Sequence, residues 1–168
     1  MDQFNSHRST LEHWHHLVSE VQFTSGIQLS EALESYLVFL LIRFTEKPEL
    51  ASAVLAEEYL QSLQALGCEQ RETLRDVGDK CLIFAGFFPE RALRKQVSDE
   101  YFTEMGRLAY GMLANIPEAQ RFGPYVDLHE KFISLKDLLA SMHQQEDGAK
   151  LTGQLDMSLL DFSFQSYH

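Results

Sequence analysis

One stretch of the sequence, residues 78–110, limits the possible folds more than any other. It reads GDKCLIFAGFFPERALRKQVSDEYFTEMGRLAY and is dense in apolar and small side chains. A proline biases the residue before it, here Phe88, away from the α conformation and tends to end a helix. The stretch therefore predicts a buried helix, a corner at Pro89 and a second helix.

Composition favours a helical globular protein. The chain has 168 residues, of which 45% are hydrophobic and 23% charged, which suits one domain with a sizeable core. Four prolines and nine glycines leave little room for a fold with many strands and turns. We predict an all-α, compact, single-domain bundle of about six main helices over residues 1–168, packed around the second and fourth.

Capping residues divide the chain into these helices. Thr10, Ser30 and Ser98 are N-cap candidates, Pro48 suits a first turn, and Gly67 suits the position just after a helix. The first predicted helix follows Thr10 and ends by Gly26, and the second begins after Ser30. The third and fourth cover residues 48–66 and 69–87. The fifth runs from Ser98 to before Pro117, and the sixth covers residues 125–145. Residues 1–9 are expected to be loose, and residues 148–168 to be an extended or short-helix tail.

Apolar spacing indicates which faces are buried. Almost every residue in 36–44 is apolar, which predicts burial around most of the second helix. Spacings of three and four residues mark one face of each later helix. These sets are Leu55, Tyr59, Leu63 and Leu66; then Tyr101, Phe102, Met105, Leu108, Ala109, Met112 and Leu113; and finally Val126, Phe132, Ile133, Leu135, Leu138, Leu139 and Met142.

The net charge excludes one class of partner. A formal charge of −11, from 25 acidic and 14 basic residues, opposes contact with nucleic-acid phosphates. The densest basic group, Arg91, Arg94 and Lys95, is too small to overcome this field. We predict no nucleic-acid binding.

Cysteine usage and the apolar runs bear on location. Two cysteines, Cys68 and Cys81, do not form a disulfide framework for a chain of this size, so reduced thiols in the cytoplasm are expected. The first residues lack the apolar segment of a secretory signal. The longest apolar run, residues 36–42, is too short to cross a bilayer. We predict a cytoplasmic protein without membrane contact.

Asp79 is the sharpest candidate for a site. Its spacing to Leu82, Ile83 and Gly86 places it on a face predicted to be buried, where a carboxyl group must be paired or protonated. One hypothesis is a structural ion pair that locks the Pro89 corner, with Arg91, Arg94 or Arg107 as partner. The other is a polar ligand-binding pocket. Its candidate residues are Asp79, Arg91, Tyr101, Arg107 and Tyr110.

Four glycines lie within helical patterns, at 78, 86, 106 and 111. Each costs up to about 1 kcal/mol relative to alanine. Close approach of helices is one explanation, and room for a ligand or a kink is the other.

The sequence contains little evidence for a metal site or a catalytic motif. A metal site on the first helix is one hypothesis, because three histidines lie close together there, at His13, His15 and His16. Glu12 and His15 also have the Glu-x-x-His form of di-iron sites. Such a site needs a second Glu-x-x-His pair, which the sequence lacks. We interpret these histidines as a polar helix face. The Gly-x-Ser-x-Gly, Cys-x-x-Cys, Walker A and Gly-x-Gly-x-x-Gly motifs are also not found. We predict no catalytic residue, no metal and no cofactor.

The C-terminal residues are the strongest candidates for an interaction. They are too apolar to remain in water, so we expect them to dock on this domain or on another protein chain. The residues concerned are Leu155, Met157, Leu159, Leu160, Phe162 and Phe164.

One block resembles a known group of proteins. Gly78-Asp79, residues 85–91, Val97-Ser98, Tyr101-Phe102, Met105-Gly106 and Ala109-Tyr110 resemble a segment shared by short uncharacterised bacterial proteins, most of them proteobacterial. The resemblance covers about a fifth of the chain. It implies a cytoplasmic helical protein and brings no activity, cofactor or catalytic residue.

The sequence thus favours a non-enzymatic helical protein that acts through protein–protein contact, with a protein partner or by self-association, for example as a homodimer. The alternative is a small-molecule-binding protein or enzyme with a polar pocket around Asp79. The first interpretation rests on the absence of catalytic motifs from the sequence and on the apolar tail.

Overall fold

A computed structural model describes the backbone of residues 2–47, 55–89, 98 and 100–145, and the side chains of 10–47, 59–89, 98 and 100–145. The described residues form helices, turns and loops without a strand, so the predicted all-α class is confirmed. The elements are α1 (Asp2–Ser25), α2 (Glu31–Glu46), α3 (Leu55–Gln64), α4 (Gly67–Phe87), α5 (Tyr101–Ala114), a 3₁₀ helix (Pro117–Arg121), α6 (Tyr125–Glu130) and α7 (Phe132–Gln144).

The chain divides into two compact units. Met1–Ser52 with Ala140–His168 make the first unit, and Ala53–Leu139 make the second. Compact units can belong to one domain or to two, so the single-domain interpretation stays a prediction.

In the first unit, α1 and α2 pack against each other. Gln22 joins them, because its amide nitrogen donates to Glu34 and its amide oxygen accepts from the backbone N–H of Leu29. Ser30 is the N-cap of α2, as predicted, since its Oγ accepts from the Leu33 backbone N–H at 3.2 Å. The turn before it contains Gly26 with φ +73°, a conformation that favours glycine.

Two expectations about this unit are wrong. Helix α1 begins at Asp2, so residues 2–9 are helical and Thr10 lies inside the helix. They contain no proline or glycine that would end a helix before Thr10. Helix α2 buries a stripe that includes Leu33, Leu37 and Phe44, whereas Phe39 is 64% exposed, so burial does not extend around the helix.

Helix α4 is central to the second unit, where it packs against both α3 and α5. Every residue from Val77 to Phe87 is buried, including the polar residues Asp79 and Lys80. Phe88 ends the helix with φ −132° and ψ 54°, outside the α region, as its position before Pro89 predicts. At the other end, Gly67 has φ +61°, the left-handed conformation expected of a glycine between helices.

The later helices differ from the prediction at their ends. Helix α5 begins at Tyr101, and its N-cap position is Glu100 without a capping side-chain bond. Ser98 is not the cap; its carbonyl accepts from the Tyr101 N–H in the preceding turn. The predicted helix over residues 125–145 is two helices, because Lys131 leaves helical geometry with ψ 17°.

Several apolar residues predicted to face inward are exposed. On the face assigned to the third helix, Leu63 and Leu66 lie largely in solvent, and the buried residue there is Ser62. Leu108, Val126 and Ile133 are about half exposed. The buried stripe of α6 and α7 instead starts at Tyr125 and continues with Leu128, Phe132, Leu135, Leu138, Leu139 and Met142.

Candidate functional site

Asp79 and Tyr110 meet in the interior of the second unit. The Tyr110 hydroxyl donates a hydrogen bond to Asp79 Oδ1 at 2.6 Å. Asp79 is 1% exposed and Tyr110 is 0% exposed, so water does not compete for this bond. The contact joins α4 to α5 and gives the buried carboxyl group a hydrogen-bond donor.

Glycine makes this close approach possible. A Cβ built at Gly78 would lie 2.5 Å from Cε1 of Tyr110, so the tyrosine ring lies directly against the α4 backbone. A Cβ at Gly106 would lie 2.6 Å from the Phe132 ring, and one at Gly86 would lie 2.5 Å from Leu139 Cβ. Neighbouring side chains fill the space beside these three glycines. Close helix packing, rather than room for a ligand, therefore explains them.

Two further aromatic rings hold Tyr110 in position. Its ring centroid lies 6.3 Å from that of Tyr125 in a stacked geometry and 6.0 Å from that of Phe132. Aromatic pairs at such separations are stabilising beyond their burial alone. The hydroxyl of Tyr110 is therefore aimed at Asp79 by packing from α6 and α7.

The structure does not bring the other described candidates to Asp79 in the same way. The side chain of Arg107 is exposed, and no ion pair joins it to Asp79 among the described side chains. Tyr101 is partly buried and its ring packs on Phe102 at 5.5 Å. Arg91 lies outside the described residues, so its pairing with Asp79 stays a prediction.

The apolar tail residues also lie outside the described part of the chain. Docking of Leu155, Met157, Leu160, Phe162 and Phe164 stays a prediction.

The histidines of α1 make separate contacts. His15 Nε2 lies 3.1 Å from Glu34 Oε1, and His16 Nε2 lies 3.6 Å from Glu20 Oε2. Within the described residues, no three His, Cys, Asp or Glu side chains are grouped so that they could hold a metal ion.

Two surface cavities were not predicted from the sequence. The first is a groove of about 450 Å³ between α5 and α6, where Leu108 and Met112 face Val126 and His129. The second is a smaller cavity of about 80 Å³ between the start of α4, the 3₁₀ helix and Tyr125. Neither of these two cavities is lined by Asp79, Tyr101, Arg107 or Tyr110.

Comparison with known proteins gives no identification: no family model, no curated protein and no solved structure matches this chain. Among the described helices, none is both long and apolar enough to cross a membrane.

Tyr101 makes the stability of the second unit depend on pH in the alkaline range. Burial raises the pKa of its phenol above the ordinary value of 10.0, and the electrostatic interaction with Cys81 raises it further. The unfolded state therefore loses the phenolic proton first, and stability falls as the pH rises through and above 10. We expect Tyr101→Phe to reduce the loss of melting temperature between about pH 9 and 11. The matched control is Tyr59→Phe, and an equal alkaline loss in the wild type and in Tyr101→Phe would contradict this role.

Proposed function

We propose that this protein acts through protein–protein contact and that the groove between α5 and α6 is its binding surface. The observation that carries the proposal is the exposure of apolar side chains on both walls. Leu108 on α5 is 49% exposed and Val126 on α6 is 45% exposed. Burying such side chains against a partner releases roughly 25 cal/mol per Å² of apolar surface.

The groove has a defined shape because its walls are tied together. His129 Nδ1 donates to the Arg107 carbonyl oxygen at 2.8 Å, which links α6 to α5 at the groove. A Cβ at Gly111 would lie 3.0 Å from the same imidazole, so the two helices are already close there. The Tyr59 hydroxyl lies 3.7 Å from the sulfur of Met112, another lining residue. A preorganised groove loses little conformational entropy when it binds.

Charge favours one kind of occupant. Helices α5 and α6 together carry three carboxylates, Glu104, Asp127 and Glu130, against one arginine, Arg107. The whole chain carries −11. Apolar walls in an acidic field suit the apolar face of a helix with basic residues at its flanks. The same field repels a second copy of the chain, so a basic helical partner is favoured over a homodimer.

The second candidate function, a ligand pocket around Asp79, gains no comparable support. Asp79 and Tyr110 are bonded to each other and buried, so a ligand would have to separate them before it could contact either group.

A synthetic helix tests the groove. The probe is a labelled peptide of about 16 residues, roughly four turns, with a leucine stripe at helical spacing and lysines elsewhere. We expect saturable binding by fluorescence anisotropy, weakened about tenfold by Leu108→Arg. The matched control is Ile133→Arg, because Ile133 is also 49% exposed but does not line the groove.

Three other results would overturn part or all of the proposal. Equal binding of a peptide with the same composition and a disrupted stripe would show charge attraction alone and overturn the proposal. Equal weakening by Leu108→Arg and Ile133→Arg would overturn the choice of groove. If light scattering shows a wild-type dimer that Leu108→Arg converts to a monomer, the occupant is a second copy and the basic partner is wrong.

A further inference from the structure

The smaller cavity carries two arginines side by side in its wall. Arg71 and Arg75 are one helical turn apart on α4, so both guanidinium groups lie on the same side of the helix. Both line the cavity, together with residues of the 3₁₀ helix and its surroundings. Arginine is suited to carboxylate and phosphate groups because its planar donors match two oxygen atoms at once.

The donors of Arg75 are not fully used by the described residues. Its Nη2 lies 3.5 Å from Asp76 Oδ1, a contact that engages one side of the guanidinium group. Its Nε is buried and has no hydrogen-bond partner. The Arg75 side chain as a whole is 37% exposed, so an incoming acceptor meets its outer N–H groups rather than the buried Nε.

Arg71 is held by an aromatic ring instead of a carboxylate. Its Cζ lies 5.6 Å from the centroid of the Phe122 ring, a cation–π distance. Among the described side chains, no carboxylate forms an ion pair with Arg71. Stacking on a ring leaves the N–H groups at the edge of the guanidinium plane available to a ligand.

One acidic residue limits the positive charge of the cavity. Glu72 also lines it, and Glu72 Oε1 lies 3.6 Å from Cys68 Sγ, so this carboxylate is directed at the thiol. Two guanidinium groups face one carboxylate in the lining, and Asp76 contacts Arg75 from outside the lining. The positive groups that face the cavity therefore suit a ligand with no more than a single negative charge.

The remaining wall is apolar. Ala119 and Tyr125 are buried, and the Phe122 ring is 66% exposed at the edge of the cavity. An inorganic anion placed there would lose hydration against carbon without compensation. A carboxylate attached to an aromatic ring would instead contact both kinds of wall.

We infer that this cavity binds a small aromatic carboxylate. Its carboxylate accepts from the guanidinium groups of Arg71 and Arg75, and its ring packs against Phe122 and Tyr125. One water needs roughly 10–15 Å³ of such cavity volume, so the cavity of about 80 Å³ has room for several water-sized groups. It therefore holds the carboxylate and a few carbons, and the rest of the ring lies at the mouth beside Phe122.

Sodium benzoate is the probe for this site. In a titration followed by ¹H–¹⁵N correlation spectra of the full chain, we expect saturable shifts centred on residues 68–75 and 119–125 and a dissociation constant of about 1 mM. Arg71→Gln and Arg75→Gln should each weaken binding about tenfold, since each removes a charge-assisted contact. Phe122→Ala should weaken it without affecting the buried core.

The controls separate charge, ring and site. Lys47→Gln removes one positive charge from an exposed side chain that does not line the cavity, and it should bind benzoate as the wild type does. Benzyl alcohol tests the ring alone and sodium phosphate tests the charge alone; both should bind at least about tenfold more weakly.

Equal binding of phosphate would reduce the effect to general anion attraction and overturn the inference. Unchanged benzoate binding in the Arg71→Gln, Arg75→Gln double variant, or an absence of shifts at about ten times the expected constant, would do the same. The melting temperature of each variant is measured first, and only variants that melt like the wild type are compared. Loss of fold is then not mistaken for loss of binding.

Discussion

Replacing Asp79 by alanine is expected to lower the free energy of unfolding by about 2–3 kcal/mol. The substitution removes the acceptor of the Tyr110 hydroxyl, which is buried and cannot turn to water. The stranded donor and the space left by the carboxyl group both act against the folded state. Urea unfolding followed by circular dichroism measures the change.

Asp137→Ala is the matched control for this experiment. It removes an aspartate from the exposed side of α7, where surface substitutions change stability by about 0.5 kcal/mol or less. A loss below about 0.5 kcal/mol for Asp79→Ala as well would mean that Asp79 is not held as the structure shows.

Gly106→Ala is expected to lower the free energy of unfolding by about 1–3 kcal/mol, although alanine is the better helix former. The new Cβ would lie 2.6 Å from the ring of Phe132 and 2.8 Å from Cys81 Cβ. Phe132 is fully buried, and the Cβ of Cys81 is fixed to the α4 backbone. Neither neighbour can move aside without shifting its helix.

Gly111→Ala, five residues later in α5, controls for helix propensity. Its Cβ would meet the imidazole of His129 at 3.0 Å, so this partly buried side chain has to move by only a few tenths of an ångström. Both substitutions gain the same intrinsic helix preference, so the difference between them isolates packing. Equal effects in the two variants would contradict a tight contact at Gly106.

The sequence predicts those features of the fold that depend on a few neighbouring residues. The Ser30 cap, the turn at Gly26 and the end of α4 at Phe88 are all of this kind. The break at Lys131 is different, because neither a proline nor a glycine marks it. Nothing within one turn of Lys131 distinguishes it from a residue of a continuous helix.

The candidate site shows the same limit. The burial of Asp79 follows from its spacing to apolar residues on one helix, and the structure confirms it. Its bond to Tyr110 depends on how α4 and α5 lie against each other, which contacts at Gly78 and Gly106 determine. The sequence indicates that such glycines need a reason but not which side chain lies over them.

The surface cavities could not be predicted from the sequence, for a similar reason. Arg71 and Arg75 meet Phe122 and Tyr125 only through tertiary packing, across about fifty residues of chain. The half-exposed side chains of Leu108 and Val126 match an inward helical pattern, so spacing alone places them in the core.

The central claim is that the Asp79–Tyr110 hydrogen bond joins α4 to α5, and a double-mutant cycle tests it most directly. Urea unfolding is measured for the wild type, Asp79→Ala, Tyr110→Phe and the double variant. Because Phe keeps the ring and removes only the hydroxyl, the cycle isolates the bond between the two groups. We expect a coupling free energy of about 1–3 kcal/mol; a coupling below about 0.3 kcal/mol, within the range of simple additivity, would contradict the claim.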